Sequence, residues 1–263
     1  MTISKPYHRN CRQFVDGHYS EGGRWQYIVH PNYAKSPEQY VRAFLLIQKD
    51  LHEIFDYIEP ADKNHKCYSF RIHEVLMRSC IEVEANFKAI LEENNYEKKD
   101  KSGKTLDMDI DDYKKVEKTH KLSMYKVKLP HWEGTKSVRT PFSSWKKPEK
   151  YSPAWYQAYN KTKHNRHTEF HHASFENLID SVCGLLVLLS SQFCTEDFSP
   201  SEPGIAASGY GPKDGMESAI GGYFRIKFPD NWPHDERYDF NYLEWIDLPE
   251  QEGLFQKIDY SKI

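Results

Sequence analysis

The chain has 263 residues, of which 38% are apolar and 29% charged, and its formal net charge is −3 at neutral pH. These fractions are those of a soluble globular protein with one substantial core, and the slight acidity speaks against nucleic-acid binding if charge is averaged over the whole chain. Five widely spaced cysteines (Cys11, Cys67, Cys80, Cys183, Cys194) without a CxxC pair, no signal-like N-terminus, and no apolar run near the roughly 20 residues that span a bilayer exclude a disulfide scaffold and a membrane protein. The expectation is a cytoplasmic protein in a reducing compartment.

Residues 1–35 are polar, aromatic and rich in turn formers, and read as an irregular arm with one short strand over 25–29. Ser36-Pro37 then reads as a helix start, with Gln39 placed to close a capping box. Tyr40, Phe44, Ile47, Leu51, Ile54 and Ile58 recur at steps of three and four up to Pro60, one apolar stripe on one helix. A second helix is expected over 68–94, with Ile72, Val75, Leu76, Val83, Phe87 and Ile90 buried and Asn94-Asn95 at its end. Its Glu82 and Glu84 are candidate partners for a histidine on a facing helix.

The segment 96–150 is charged and interrupted, and is read as an insertion that allows a short helix over 109–120 and a strand over 124–129. Ser152-Pro153 repeats the capped start. From there the helical pattern is expected to continue unbroken into Phe175, Leu178, Ile179, Val182, Leu185, Leu186 and Leu189, a deeply buried stretch. Beyond 198, glycine, proline and serine mark a loop over 199–222. Its glycines lack the GK[ST] of a phosphate loop. A strand over 223–228 and an aromatic tail over 232–260 follow. The expected division is an arm (1–35), a helical domain (36–198) carrying the basic insertion, and a C-terminal extension (199–263).

Charge is strongly segregated. Residues 113–172 hold 14 lysines and arginines against four glutamates, whereas the rest of the chain holds 22 against 35 acidic residues. Such a segment is a candidate footprint for a phosphate backbone, or else a solvated lysine-rich loop. At its end stands the string WYQAYNKTKHNRHTEFHH (155–172), which concentrates cations, imidazoles and aromatics. Arginine offers a fixed fork of donors to phosphate, and histidine exchanges protons near neutrality.

Arg166 precedes His171 and His172 with four and five residues between, His167 directly follows the arginine, and the lead-in supplies Trp155, Tyr159, Asn160, Lys163 and His164. This pattern resembles the R-x4-6-H signature of the HEPN superfamily, over roughly residues 36–193. The resemblance implies an all-α, antiparallel helical bundle and metal-independent endoribonuclease activity, in which a ribose 2′-hydroxyl attacks the adjacent phosphorus. It leaves a 2′,3′-cyclic phosphate and a 5′-hydroxyl. By that resemblance Arg166 clamps the phosphate, His171 or His172 moves protons, His167 orients them, and Tyr159, Asn160, Lys163 and His164 contact substrate.

On one regular helix Arg166 and His171 would point about 140° apart, so the resemblance implies a homodimer with a composite site. No cofactor is expected. The implied partner is RNA, with a regulatory protein as a further candidate, and the implied role is that of a toxin or antiviral defence effector. The alternative is a non-catalytic HEPN-like module that binds nucleotide or RNA. His171 lies on the stripe of Phe175, Leu178 and Val182, which puts it at the core or an interface; in a purely structural reading Arg166 pairs with Glu169 or a carboxylate of the second helix, and His171 is a satisfied interior histidine. A zinc reading would use His164, His167 and His171 on one helical face; neither a cysteine pair nor HExxH supports it.

Overall fold

Nineteen residues, Phe175–Phe193, form a helix (α6) whose side chains are buried all round, with Glu176, Asn177 and Asp180 alone reaching toward solvent at its first turns. A helix apolar on every face must be wrapped rather than merely flanked. In the computed structural model, which describes residues 2–19, 21–147, 152–198, 214–241 and 253–263, three helices pack against it: α1 (Pro37–Phe55), α2 (Phe70–Glu93) and α4 (Ala154–His164). Two further helices, α3 (Ile110–His120) and α5 (Arg166–Glu169), complete a predominantly helical fold.

Helix α2 follows its sequence signals closely. Ser69 Oγ accepts from the Ile72 amide as N-cap, Asn94 ends the helix, and Ile72, Val75, Leu76, Val83, Phe87 and Ile90 are buried. Helix α3 begins with a reciprocal capping box between Asp109 and Asp112. Helix α1 departs from expectation at both ends. Ser36 adopts a left-handed conformation (φ 46°, ψ 51°) and makes no side-chain cap, so the box with Gln39 does not form and Pro37 alone fixes the start. The helix ends at Phe55, leaving Ile58 outside it.

The strand expected over 25–29 is instead part of a 3-10 helix, Glu21–Val29. Adjacent Tyr27 and Ile28 are buried while Trp25 and Val29 are exposed, a pattern that helical turns produce and a strand cannot.

Strands β1 (Lys126–Lys128), β2 (Val138–Arg139), β3 (Glu217–Ser218) and β4 (Arg225–Lys227) form one antiparallel sheet in the order β2-β1-β4-β3. Val127 pairs with Ile226 across its centre, both fully buried, and the flanking lysines and arginine point the other way. The sheet therefore joins the basic segment to the C-terminal extension, and the fold is not purely helical. Phe14, Tyr27 and Tyr33 of the arm, Tyr113, Tyr125 and Trp145 of the basic segment, and Trp232, Tyr238 and Tyr260 of the extension all belong to one continuous core. The parts of the loop and tail at 199–213 and 242–252 lie outside the described residues. Among the described residues no helix is long and apolar enough to cross a membrane.

The arm is held by Arg9, whose side chain is sealed from solvent. It pairs with Glu93 at the end of α2 (2.8 Å) and donates to Gln192 Oε1 on α6 (2.9 Å) and to the Lys35 carbonyl (2.7 Å). Gln192 passes the network on to Asn86 of α2 (3.0 Å). Next to it, buried His120 meets the Arg9 carbonyl through Nε2 (2.8 Å) and Thr119 Oγ1 through Nδ1 (2.8 Å). The carbonyl can only accept, so Nε2 carries the proton, and the Asn10 amide nitrogen, 3.3 Å from Nδ1, can only donate, so Nδ1 is an acceptor and the ring is neutral.

Burial holds the His120 pKa down at about 3. A group depressed in the folded state stabilises fully above its unfolded value, near 6.5, and that contribution is lost as pH falls toward 3. The urea midpoint is accordingly expected to fall as pH drops below about 6.5, with a shallower decline in His120→Gln. A second expectation concerns Gly184, where α6 approaches α4 so closely that a Cβ would lie 2.9 Å from Trp155 Cζ2. Gly184→Ala should lower stability by about 1–3 kcal/mol in thermal or urea unfolding, despite alanine's better helix propensity.

Candidate functional site

The motif does not lie on one helix. Helix α4 ends at His164, with Lys161, Lys163 and His164 in its last turn, where cations complement the exposed carbonyls. Asn165 leaves helical geometry (φ −131°, ψ 45°), α5 makes a single turn, and Phe170–His172 form a 3-10 turn that ends at Ala173. Ser174 then caps α6, its Oγ accepting from the Asn177 amide. This start was marked in the sequence by Ser174 followed by Phe175 and the first-turn Glu176.

The break has a tertiary cause as well. The first amides of α6 need acceptors, and the loop preceding α2 supplies them: Phe175 N donates to the Cys67 carbonyl (2.7 Å) and Glu176 N to the His65 carbonyl (3.0 Å). Tyr68 bridges to Ser174 in the same contact. A helix running straight on would have these amides bonded within itself, and the loop would have nowhere to dock.

The aromatic lead-in is internal. Trp155, Tyr156 and Tyr159 are buried, so none of these rings offers a face to a base. The Tyr159 hydroxyl accepts from Lys163 Nζ (3.2 Å), and that ammonium also lies 5.1 Å from the Tyr159 ring centroid. Asn160 is half-buried. Glu84 accepts from the Tyr156 hydroxyl (2.8 Å), so the carboxylate of α2 that faces the motif serves α4 rather than an imidazole.

Arg166, His164, His167 and His171 are exposed, and His172 is half-buried. His171 is thus not interior: the break turns it off the stripe begun by Phe175. Glu169 pairs with His172 Nε2 (3.0 Å) rather than with Arg166, and Lys161 Nζ lies 3.3 Å from the same nitrogen. The His171 and His172 rings lie 4.3 Å apart. The Arg166 guanidinium sits over Phe70, 5.9 Å from its centroid, and Phe70 in turn packs on Phe170 at 4.8 Å. Among the described residues no hydrogen bond, ion pair or ring contact joins Arg166 to His167, His171 or His172.

Four side chains of this surface carried no signal in the periodicity: Tyr68, Phe70, His73 and His65. Tyr68 and Phe70 precede or open α2 and stay largely exposed. His73 packs on Phe170 (5.6 Å), and burial together with the nearby Arg166 charge holds its pKa below the ordinary imidazole value. His171 and His172 open onto a cleft of about 320 Å³, whose opposite wall is His65, Lys66 and Tyr68.

Behind that wall the basic segment contributes structure. Arg139 Nη2 donates to His65 Nε2 (2.9 Å) and Nη1 to Asp180 of α6 (3.2 Å), while Lys136 pairs with Glu176 (2.9 Å). Burial and the Arg139 charge hold the His65 imidazole low, and burial pushes Asp180 up to about 6. Lys128 and Lys121 likewise meet Asp214 and Glu236. Part of the positive surplus of residues 113–172 is therefore spent on acidic groups from outside that segment. The break at Asn165 also removes the continuous helical face on which His164, His167 and His171 would align, and among the described residues no three histidine, cysteine or acidic side chains are placed to hold a metal.

Replacing Arg139 by methionine should strand Asp180 and loosen the His65 loop. The expected loss is about 2–4 kcal/mol in urea unfolding, somewhat below that for a fully sealed pair because Asp180 is in part solvated.

No protein-family model, curated protein or solved structure matches the chain. The functional reading therefore rests on the chemistry of these side chains.

Proposed function

We propose that the chain is a metal-independent endoribonuclease of HEPN-like type, with Arg166 as the phosphate clamp and His171 as the proton-transfer group. The observation that carries this reading is the state of those two side chains. Each is exposed on the turn at the head of α6, and among the described residues neither is used in an ion pair or a hydrogen bond. An unpaired guanidinium, and an imidazole with both nitrogens open, are the groups that cleavage of a ribose phosphate linkage requires. The imidazole takes the proton of the 2′-hydroxyl or gives one to the departing 5′-oxygen, and the guanidinium neutralises the oxygens of the five-coordinate phosphorus.

His171 is preferred to His172, because His172 is tied to Glu169 and Lys161. Within one chain Arg166 sits over Phe70 and His171 lines the cleft with no contact between them, and in this reading a second copy brings the two groups onto one phosphate. The reading accordingly includes a homodimer. The same separation is what favours the second reading: a chain that remains a monomer fits a module that binds RNA without cutting it. A role in defence or toxicity and an inhibitory protein partner belong to the first reading.

Incubation of single-stranded RNA with the full chain in excess chelator separates the two. Cleavage with 2′,3′-cyclic phosphate ends is expected. Loss should be about 10²–10⁴-fold in His171→Ala and roughly 10²–10³-fold in Arg166→Ala, with a smaller loss in His172→Ala. RNA binding without turnover, by a chain that sediments as a monomer, would instead establish the binding module.

A further inference from the structure

The cleft beside His171 is assembled from two parts of the chain that the sequence keeps about a hundred residues apart. The docking of the His65–Tyr68 loop on the first amides of α6 makes it, through the bonds from Phe175 to Cys67 and from Glu176 to His65. Its volume, about 320 Å³, lies at the lower end of the roughly 300–1,000 Å³ range of small-ligand sites. That leaves room for one flat ring system with a charged appendage.

Its walls have a definite chemistry. Tyr68 is 53% exposed, yet it is not loose: Phe170 meets it at right angles with centroids 5.7 Å apart, and its backbone bridges to Ser174. The ring is therefore a fixed, open aromatic platform. Lys66, on the same wall, is exposed and has no ion-pair partner among the described residues. His171 completes the polar side opposite. The carboxylate in the lining, Glu176, is already neutralised by Lys136 at 2.9 Å. Asn177 adds an amide whose nitrogen is engaged by the His172 carbonyl (2.9 Å), which orients its oxygen as the remaining acceptor.

An open aromatic face, a free ammonium, a free imidazole and an oriented amide around a volume of this size match a nucleoside monophosphate. The base lies on the ring, the phosphate between the Lys66 ammonium and the His171 imidazole, and a base edge toward the amide. We infer that this cleft is the subsite for one nucleotide of single-stranded RNA, the nucleotide whose phosphate is presented to His171, with Tyr68 as its stacking residue and Lys66 as its phosphate contact. The assignment to RNA rests on the ribonuclease reading above; the binding chemistry does not.

Isothermal titration of the full chain with adenosine 5′-monophosphate, adenosine and inorganic phosphate tests it. The monophosphate should bind more tightly than either fragment, and single-stranded RNA should displace it. Tyr68→Ala should weaken it about ten-fold, and Tyr68→Phe should keep the wild-type affinity, since stacking needs the ring and not the hydroxyl. Lys66→Ala, a surface change that leaves the fold alone, should bring monophosphate affinity down to that of adenosine.

The inference is overturned if the monophosphate does not bind, if Tyr68→Ala with an unchanged melting temperature binds it as wild type does, or if RNA fails to displace it. Displaceable binding through Tyr68 without any RNA cleavage sinks the nuclease reading and leaves the subsite standing. Cleavage that depends on Arg166 and His171 but proceeds equally in Tyr68→Ala sinks the subsite alone.

Discussion

Everything in this molecule is arranged around a helix that has no polar side beyond its first two turns. Between Leu178 and Phe193, α6 exposes almost nothing but Asp180, and burying such a cylinder takes more surface than three helices of a small bundle provide. The remaining cover comes from segments that look dispensable in the sequence. The N-terminal arm, the basic segment and the C-terminal extension each contribute large aromatic residues to the same core. That is why the arm carries a sealed arginine: Arg9 closes the far end of α6 by joining Gln192, Glu93 and the Lys35 carbonyl through the two terminal nitrogens of its guanidinium, and these charge-assisted bonds offset the cost of its desolvation.

The two ends of α6 thus have different fates. The C-terminal end is locked inside the core, while the N-terminal end emerges where the loop before α2 caps it. Polar residues that immediately precede a buried helix must turn away from the core at that point, and here they are the arginine and histidines of the motif. The same geometry decides which of them stays available. Glu169 reaches His172, Phe70 supports Arg166, and His171 is left open beside Tyr68 and Lys66. Position relative to α6, more than spacing along a helix, is what makes this surface a candidate for chemistry.

The basic segment shows how charge along a sequence and charge on a surface differ. Its lysines and arginines outnumber its acids by more than three to one, yet Lys121, Lys128, Lys136 and Arg139 are matched by carboxylates brought in from α6 and from the extension. The positive groups of this surface without an ion-pair or hydrogen-bond partner among the described residues, Lys66 beside the cleft and Arg166 over Phe70, come from two separate stretches of chain. An RNA-facing surface in the proposed function is therefore built by folding rather than inherited from one run of residues.

Periodicity determined α2, the apolar stripe of α1 and the burial of α6, because spacing at three and four residues is a local property that burial amplifies. Residue chemistry likewise marked Arg166, His171 and His172 as the side chains worth following. Tertiary structure decided what local signals could not. It broke the expected continuous helix at Asn165, since the amides at the head of α6 bond to the carbonyls of His65 and Cys67, partners about a hundred residues away. For the same reason it placed His171 in solvent rather than in the core, buried Trp155, Tyr156 and Tyr159, and set Tyr68 and Lys66 beside the motif. Those outcomes depend on which distant segment satisfies a given donor or covers a given apolar face, and only the folded chain makes that choice.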